Sequence, residues 1–510
     1  MSQGQRAAKL FAAGGDHHHR APALSSFIPV RMARAFVENR QAPGYAGRID
    51  ATITTLSQSD RRYAPDGRVA DELILVLECE RPQAGSARHR LDGVDEVVIG
   101  RGPARAAARS ERRLELRVPD GRVSSAHASL VREGQAFVLH DAGAKNGVVV
   151  NGARVERQLV RDGDVIECGR TFFRYRAARE RPAGDPLDVD SGGGSDEGLL
   201  TFHEPLAQQL RELAEVARTL LSVLILGASG TGKELVARAI HARSGRRGAY
   251  VGVNCAALPE NLVEAELFGA RRGAFTGANE DRVGLVRASA EGTLFLDEIA
   301  ELPLRAQPTL LRVLQEREVL AIGTTKPQPV DLRLVAATHR DLEALVHEER
   351  FRSDLYARVA GFVVRLPTLR ERIDDLGLLV AALLKRHAGG ALPSLSGEAM
   401  RLLLRHSWPL NIRELEHALR AALALSPARI EAENLPAPLR AAAPAADEAR
   451  PGEPPRALTP EQAARREELC ALLAEHGGNI SEVARRMGKD RVQIRRWIRS
   501  FGIALDKPGR

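Results

Sequence analysis

The chain has 510 residues, 44% of them hydrophobic, and a formal net charge of +8. This length exceeds what one hydrophobic core usually organises, so about three domains are expected. The mild positive charge permits contact with nucleic acid without establishing it, because the position of the basic residues matters more than their sum. Four cysteines without metal-ligand or disulfide-framework spacing indicate reduced core thiols. With no signal segment and no apolar run near ~18 residues, a cytoplasmic protein without a membrane partner is expected.

Residues 1–70 mix Gly, Ala, Arg and His without sustained periodicity, which predicts a poorly ordered tail. Within it, His17–His19 form a cluster that has no cysteine nearby. A solvated polar run is therefore preferred to a metal site.

From Glu72 to Tyr175, short β-type runs alternate with turn pairs such as Asn146-Gly147 and Asp162-Gly163. Runs of this length between glycine turns are typical of an all-β sandwich. The segment from Pro103 to Arg113 is unusually rich in arginine.

The loops of this sandwich carry, in order, Gly100-Arg101, VSSAH and KNGVVVNG. This ordered set resembles the forkhead-associated (FHA) domain, a family that binds phosphothreonine peptides, and the resemblance covers residues 71–178. It implies a guanidinium and a hydroxyl on the phosphate, an amide on the peptide backbone, and His127 as a brace. The implied phosphopeptide residues are Arg101, Ser124, Ser125 and Asn146. Two positions depart from the family pattern: Ser125 replaces a frequent Arg or Asn, and Ala144 replaces a frequent Ser.

Residues 179–197 are polar and rich in Gly, Pro and Asp. Such a segment buries too little apolar surface to offset the entropy of ordering, so it is predicted to be a linker.

The stretch from Ser222 to Leu235, SVLILGASGTGKEL, predicts a buried parallel strand that ends in a phosphate-binding glycine loop. Glycines let backbone N–H groups surround a phosphate chain, and Lys233 adds a positive charge. Glu234 departs from the G-x-x-x-x-G-K-[ST] pattern. A plain glycine turn is the alternative, and the motifs downstream disfavour it. The predicted nucleotide-binding residues here are Gly227, Ala228, Ser229, Gly230, Thr231, Gly232, Lys233, Glu234 and Leu235.

A second nucleotide motif, GTLFLDE, ends an apolar strand at Asp297 and Glu298. Asp297 is predicted to hold Mg²⁺, and Glu298 to polarise the attacking water, which is the division of labour that phosphoryl transfer requires.

Between these motifs, ELFGARRGAFTGA contains the signature loop of the sigma-54-dependent transcription activators, bacterial enhancer-binding proteins of the AAA+ class. The resemblance continues through VNCAAL, LLRVLQE, AATHRDL, FRSDLYARV, LPTLRER and WPLNIREL, and the family's glycine loop also ends in Lys-Glu. It implies an α/β ATPase over residues 198–372, a helical lid over 373–435, ATP and Mg²⁺ as cofactors, and sigma-54 RNA polymerase holoenzyme as partner. The implied sigma-54 contacts are Gly273, Ala274, Phe275, Thr276, Gly277 and Ala278.

The same resemblance implies roles for further residues around the nucleotide. Arg352 and Arg358 would be arginine fingers for a neighbouring subunit, which implies a ring, expected to be hexameric. Arg413 would sense nucleotide from the lid, Asn254 would pair with Glu298, and Thr338 would lie near the γ-phosphate. The sequence differs from the family pattern at Ala228, His339 and Leu410, which replace an acidic residue, an Asn and a Gly.

Residues 436–458, rich in Pro and Ala, are predicted to be a second linker. In the all-α segment 459–510, a helix precedes a capping box at Asn479 and Glu482, and Gly488 ends the helix that follows. The last predicted helix buries an apolar face and presents a basic one, so the segment resembles a Fis-type helix-turn-helix that binds enhancer-like DNA. Its predicted DNA contacts are Arg491, Gln493, Arg495, Arg496 and Arg499. The alternative is a solvated basic helix in a bundle.

Together these motifs predict an ATP-driven transcription activator whose FHA domain receives a phosphothreonine protein from a Ser/Thr kinase pathway. One alternative is a phosphopeptide-binding, DNA-bound scaffold or repressor with a motor that does not remodel polymerase. Another is a helicase-like or chelatase-like motor. The GAFTGA loop argues against both, and the paired Asp297 and Glu298 argue against the first.

Overall fold

The structure, a computed structural model, describes residues 68–182, 184–192, 199–274, 280–441, 468–473, 476 and 480–487. The chain divides into two units, Met1–Ala64 and Pro65–Arg510, and every described residue belongs to the second. The predicted tail, including His17–His19, lies outside the described residues except for its last three, which begin the first strand. None of the helices in these ranges is long and apolar enough to cross a membrane.

The first region is the predicted all-β sandwich. Its larger sheet has the order β13-β2-β1-β12-β11-β8-β9 and its smaller sheet the order β10-β7-β6-β3-β5-β4. Alternation explains the inner core: the run RLELRV, for example, buries Leu114, Leu116 and Val118 and exposes or half-exposes the residues between them. The strands are β1 (Arg68–Glu78), β2 (Ala87–Arg90), β3 (Glu96–Arg101), β4 (Ala106–Ser110), β5 (Arg113–Val118), β6 (Ala128–Glu133), β7 (Ala136–Asp141), β8 (Val148–Val150), β9 (Ala153–Val155), β10 (Arg157–Leu159), β11 (Val165–Cys168), β12 (Thr171–Arg181) and β13 (Asp188–Asp190).

The predicted linker 179–197 is wrong over its described part, because β12 continues to Arg181 and β13 pairs antiparallel with β2. Arg181 is buried, and its Nε lies 2.7 Å from Glu72 Oε1. Asp188 accepts hydrogen bonds from Arg109 and His89. Burial alone would raise the pKa of Asp188, but these partners hold it well below its usual value. The charges of this segment are therefore neutralised by residues far away in the sequence, including the arginine-rich segment.

The second region is an α/β domain whose sheet has the order β15-β16-β19-β14-β20, with every pair parallel. Apolar clusters cover its two faces, as continuous runs such as VLIL and TLFLD require. The carboxyl ends of the strands meet at one edge, where ligands of such sheets bind. The elements are α1 (Glu204–Val216), β14 (Val223–Leu226), α2 (Lys233–Arg243), β15 (Tyr250–Asn254), α3 (Val263–Phe268), α4 (Leu285–Ala288), β16 (Thr293–Asp297), α5 (Gln307–Glu316), β17 (Glu318–Val319), β18 (Gln328–Pro329), β19 (Arg333–Thr338), α6 (Leu342–His347), α7 (Ser353–Val359) and β20 (Phe362–Arg365).

The third region is the helical lid, which extends past the predicted boundary at 435 because Leu439 is buried in its core. The predicted linker 436–458 therefore begins with a helix that belongs to the lid. The lid elements are α8 (Leu376–His387), β21 (Ser394–Leu395), α9 (Gly397–Arg405), α10 (Asn411–Leu425), β22 (Arg429–Ile430) and α11 (Ala437–Ala441).

Part of the predicted C-terminal helical segment is described. Residues 468–473 are helical and α12 (Ile480–Arg486) follows. Leu469, Leu473, Val483 and Ala484 form a small apolar cluster between them. The predicted DNA contacts, Arg491 to Arg499, lie outside the described residues.

Candidate nucleotide and phosphopeptide sites

The glycine loop between β14 and α2 has the shape that its sequence predicts. Gly230 and Gly232 have φ angles of 77° and 102°, which residues with a side chain rarely adopt. A Cβ atom at Gly230 would also collide with the carbonyl oxygen of Leu410. α2 begins at Lys233, so its first N–H groups face the loop and are placed to bind an anion.

Lys233 is buried beneath this loop and is paired inside the protein. Its Nζ donates to the carbonyl oxygen of Gly227 at 3.0 Å and lies 3.5 Å from Glu298 Oε1. Glu298 follows the last residue of β16, with a φ angle of 52°. The parallel order of the sheet therefore brings the lysine and the glutamate together, as the two motifs predict.

His339, just after β19, holds the other oxygen of Glu298. Its Nδ1 lies 2.7 Å from Glu298 Oε2. Burial alone would raise the pKa of Glu298, but the hydrogen bond from His339 and the charge of Lys233 outweigh it and hold the pKa below its usual value. The Asn254 side chain accepts from the N–H of Ala256 at 2.9 Å, and its predicted pairing with Glu298 stays a prediction. His339, noted only as a departure from the family, is a residue that contacts Glu298 in this structure.

Asp297 is the second carboxylate at this edge of the sheet. It ends β16, and burial and the neighbouring Glu298 raise its pKa. Glu234, at the position of the usual hydroxyl residue, instead points to solvent and pairs with Arg238 at 2.7 Å. In the part of the chain that the structure describes, no group of three or more His, Cys, Asp or Glu residues is placed to hold a metal ion.

The lid clasps the glycine loop. Arg413 Nη1 donates to Ser229 Oγ at 3.0 Å, and Asn411 Nδ2 donates to the Ser229 carbonyl at 2.9 Å. Arg372 Nη2 donates to the Thr231 carbonyl at 2.7 Å. The structure thus places Arg413 beside the loop as predicted, whereas sequence reasoning missed Asn411 and Arg372. Asn411 could have been found, because it lies in the WPLNIREL motif and asparagine tolerates the left-handed φ of 56° that it has here.

Other predicted nucleotide residues surround the same edge. Thr338 is fully buried at the end of β19, and its carbonyl accepts from the N–H of Gly227 at 3.2 Å. A cavity of about 390 Å³ opens beside them, lined by Gly227, Ala228, His339 and residues of α6, α7 and β20. Leu235 lies on the first turn of α2, half-exposed.

The two predicted arginine fingers are exposed. Arg352 Nη2 lies 2.8 Å from Asp354 Oδ2, and Arg358 is on the last turn of α7. No hydrogen bond joins either side chain to the glycine loop among the described residues.

The loops of the sandwich bring the four predicted phosphopeptide residues to one end. The N–H of Arg101 donates to the Ser124 carbonyl at 2.9 Å, and Asn146 Nδ2 donates to the Arg122 carbonyl at 2.7 Å. Ser125 is exposed beside them. The guanidinium of Arg101 is also exposed and has no hydrogen bond or ion pair with any residue that the structure describes. This end of the sandwich therefore presents a free cation among hydrogen-bonding groups.

His127 braces these loops from below, as predicted. It is fully buried, its Nδ1 accepts from the N–H of Ser124 at 3.0 Å, and its Nε2 lies 3.2 Å from the Gly147 carbonyl. Burial lowers its pKa, so the ring is neutral and links two loops. Lys145, which sequence reasoning missed, is exposed in the same loop, and its N–H donates to Ser124 Oγ at 3.3 Å.

The predicted sigma-54 loop is described only at its start. Gly273 has a φ angle of 81°, and Ala274 follows it. Phe275, Thr276, Gly277 and Ala278 lie outside the described residues.

Three family models match the chain at these regions. An FHA domain matches residues 97–169, a sigma-54 interaction domain matches 199–365, and an AAA+ ATPase lid domain matches 370–451. The transcriptional regulatory protein ZraR of Salmonella typhimurium is 43% identical over 312 residues, which cover 60% of this chain and 69% of ZraR. The chain belongs to the sigma-54-dependent transcriptional activators.

A second relative and a solved structure are each similar to about 60% of the chain. The hydrogenase transcriptional regulatory protein HoxA of Cupriavidus necator is 43% identical over 318 residues, 59% of this chain and 64% of HoxA. The activator thus spans less than two thirds of HoxA. The crystal structure of NtrX from Brucella abortus in complex with ADP is 32% identical, with a TM-score of 0.45, and covers 60% of this chain and 70% of NtrX.

Proposed function

We propose that this activator hydrolyses ATP and uses the energy to remodel sigma-54 RNA polymerase holoenzyme at promoters. The observation that carries the proposal is the placement of Lys233 and Glu298, 3.5 Å apart at the edge where the sheet presents its glycine loop. A phosphate chain in that loop would take Lys233 as its counter-charge. Glu298 would then be free to accept a hydrogen bond from the attacking water and to orient it.

Asp297 is the residue that would hold Mg²⁺ with the nucleotide. Magnesium is commonly bound through one or two carboxylates plus substrate phosphates, so a single carboxylate at the mouth of the loop fits it. When bound, the ion would neutralise charge on the phosphate oxygens. Glu234 is not proposed as a ligand, since its carboxylate is paired with Arg238 at the surface.

Exposure of Arg352 and Arg358 supports a ring in which each subunit completes the site of its neighbour. A guanidinium on α7 is available to another subunit, where it would stabilise charge that develops on the transferred phosphoryl group. A hexameric ring is proposed on this basis and on the family resemblance. Arg413 would report the presence of nucleotide to the lid through its contact with Ser229.

The remaining partners are proposed from sequence motifs and from the open end of the sandwich. The loop from Gly273 to Ala278 would grip sigma-54, and the basic residues of segment 491–499 would bind enhancer-like DNA. The free guanidinium of Arg101 would bind a phosphothreonine of a protein from a Ser/Thr kinase pathway.

An open-complex assay tests the proposal, using the full chain, sigma-54 polymerase, ATP and supercoiled promoter DNA. Thr276→Ala alters the proposed grip and spares the nucleotide site, so we expect it to keep ATP turnover within about three-fold of wild type and to open no promoters. Normal promoter opening by Thr276→Ala would remove the sigma-54 assignment. Absence of ATP turnover in the wild-type protein would contradict the proposal that it is an ATPase.

A further inference from the structure

The FHA sandwich and the ATPase lid share a hydrophobic core. Successive side chains of β1 point to opposite sides, so Leu73 and Leu75 pack inside the sandwich, whereas Ile74 and Val76 pack against the lid. All four are at most 2% exposed. The lid contributes side chains of α8, α9 and α10 to this second core. The outer face of the sandwich is thus buried by the lid of the same chain.

The approach is close enough to involve the backbone. In α8, a Cβ atom at Gly377 would collide with the carbonyl oxygen of Val76, so only glycine fits. The N–H of Leu395 in the lid donates to the carbonyl of Cys79 at 2.8 Å. At these two points the backbones of the two regions are in direct contact.

An ion pair and a hydrogen bond tie α9 to β11 and to the turn that follows β8. Glu167 of β11 accepts from both Nε and Nη2 of Arg401, at 2.8 and 2.7 Å. Such a two-point pair fixes orientation as well as distance. Nη2 of Arg405 also lies 3.4 Å from the carbonyl of Asn151. The short strand β8 lies between Asn146 and Asn151 in the sequence and pairs with β11.

The C-terminal end of α9 leads to the lid residues that bond the glycine loop. Trp408 is buried after α9, and its Nε1 donates to the Leu403 carbonyl at 3.0 Å. His406 Nε2 lies 2.9 Å from Glu414 Oε1 on α10. The first turn of α10 carries Asn411 and Arg413, which bond Ser229. A continuous set of packed contacts therefore runs from the phosphopeptide loops to the nucleotide site.

We propose that the FHA domain is an integral part of the ATPase lid, and that a phosphopeptide on the Arg101 loops raises nucleotide affinity through the Glu167–Arg401 pair. The second half of this statement rests on the proposed phosphopeptide function. The physical reason is that a peptide held at the Arg101 loops fixes β8 and its partner β11, and so favours the orientation of Glu167 in which it holds Arg401 of the lid. Coupling of this kind is reciprocal, so nucleotide must raise peptide affinity by the same factor.

A charge swap in the full chain tests the docking. Arg401→Glu and Glu167→Arg each place like charges together, so we expect each to weaken binding of fluorescent ADP about five-fold or more. The double variant restores the pair with reversed charges and is expected to recover wild-type affinity, which a misfolded protein would not do. Arg386→Glu is the control, because Arg386 is an exposed lid residue whose nearest carboxylate oxygen is 3.9 Å away. Wild-type ADP affinity in both single variants would overturn the proposal.

A phosphothreonine peptide that binds the wild-type chain, detected by fluorescence anisotropy, tests the coupling. At saturation it is expected to tighten ADP binding about five-fold in the wild type and to have no effect in Arg401→Glu. Peptide binding with unchanged ADP affinity would overturn the coupling and leave the phosphopeptide function standing. If no phosphothreonine peptide binds, the phosphopeptide function and the peptide-driven coupling fall together, and the charge swap alone decides the docking.

Discussion

The activator has two candidate anion sites, and they differ in how their charges are satisfied. In the nucleotide site, Glu298 lies between Lys233 at 3.5 Å and His339 at 2.7 Å, and the lid covers the loop above. In the FHA loops, the guanidinium of Arg101 is exposed and has no partner among the described residues. The nucleotide site is closed by its own charges, in the sense that its lysine and its carboxylate pair with each other. The FHA site is open, because its cation faces solvent.

This difference in charge pairing predicts how each site responds to its ligand. A phosphate chain entering the nucleotide site must compete with Glu298 for Lys233, so binding and rearrangement of the catalytic residue occur together. A phosphate at Arg101 replaces only water, so binding requires little rearrangement of the loop.

The largest expected effect is on the nucleotide site. Lys233→Ala should abolish detectable nucleotide binding, because the buried charge that faces the phosphates is lost. Glu298→Gln should keep nucleotide binding but lower turnover by about 10²–10⁴, the range of general acid–base catalysis. Fluorescent nucleotide titration and phosphate release measure the two effects. Turnover near the wild-type rate in Glu298→Gln would contradict the role of the carboxylate.

At the open site, Arg101→Ala should lower affinity for a phosphothreonine peptide by about 1.5–3 kcal/mol, as expected for hydrogen bonds to a charged group. Arg101→Lys should fall between, since lysine lacks the two-point geometry. ATP turnover should not change in either variant. Arg157→Ala is a matched control, because Arg157 is an exposed sandwich residue paired with Glu133. Equal peptide affinity in Arg101→Ala and wild type would show that the site has no phosphate function.

A smaller effect is expected on the pH dependence of turnover. Glu298 must be ionised to act, and His339 helps hold its pKa below the usual value, so turnover should persist as the pH falls toward the ordinary carboxyl range. His339→Ala removes that contribution, and the pKa of Glu298 should then rise. The acid limb of the turnover profile should move to higher pH, and His339→Asn should restore part of the shift. Profiles measured between about pH 4 and pH 7 would show it, and identical acid limbs would disprove it.

The smallest effect is expected at Glu234. Its carboxylate and the Arg238 guanidinium are each 59% exposed, so their pair should contribute less than about 0.5 kcal/mol to stability. Glu234→Thr supplies the usual hydroxyl of the glycine-loop pattern and should leave turnover within about two-fold of wild type. A loss of ten-fold or more would mean that Glu234 belongs to the site and not to the surface.

The two sites were largely predictable from sequence because their residues lie at the ends of strands or in glycine loops. Strand order then brings Lys233 and Glu298 together, and the pairing of β3 with β6 brings Arg101 close to Ser124. The contact of His339 with Glu298 was not predicted, since which side chain reaches Glu298 depends on side-chain geometry that no sequence pattern carries.

The junctions between regions were not predicted. The segment 179–192 looks like a linker because the residues that neutralise its charges are distant in the sequence. Arg109, which pairs with Asp188, and Glu72, which pairs with Arg181, lie about a hundred residues away. The packing of the lid against the sandwich could have been predicted from the sequence of β1. The run LILVL in β1 is apolar on both faces, and in an antiparallel sandwich that indicates a second covered side.

The claim that the nucleotide site is closed by its own charges is tested most directly by the affinity of Glu298→Gln for a non-hydrolysable ATP analogue. If Glu298 competes with phosphate for Lys233, removal of its charge should tighten binding by about five-fold or more relative to the wild type, under conditions where neither protein turns over. Glu343→Gln is the control, because this carboxylate lines the cavity beside His339 but accepts from Tyr356 at 2.7 Å. Tighter binding in Glu298→Gln alone is the predicted result, and equal or weaker binding than wild type would contradict the account.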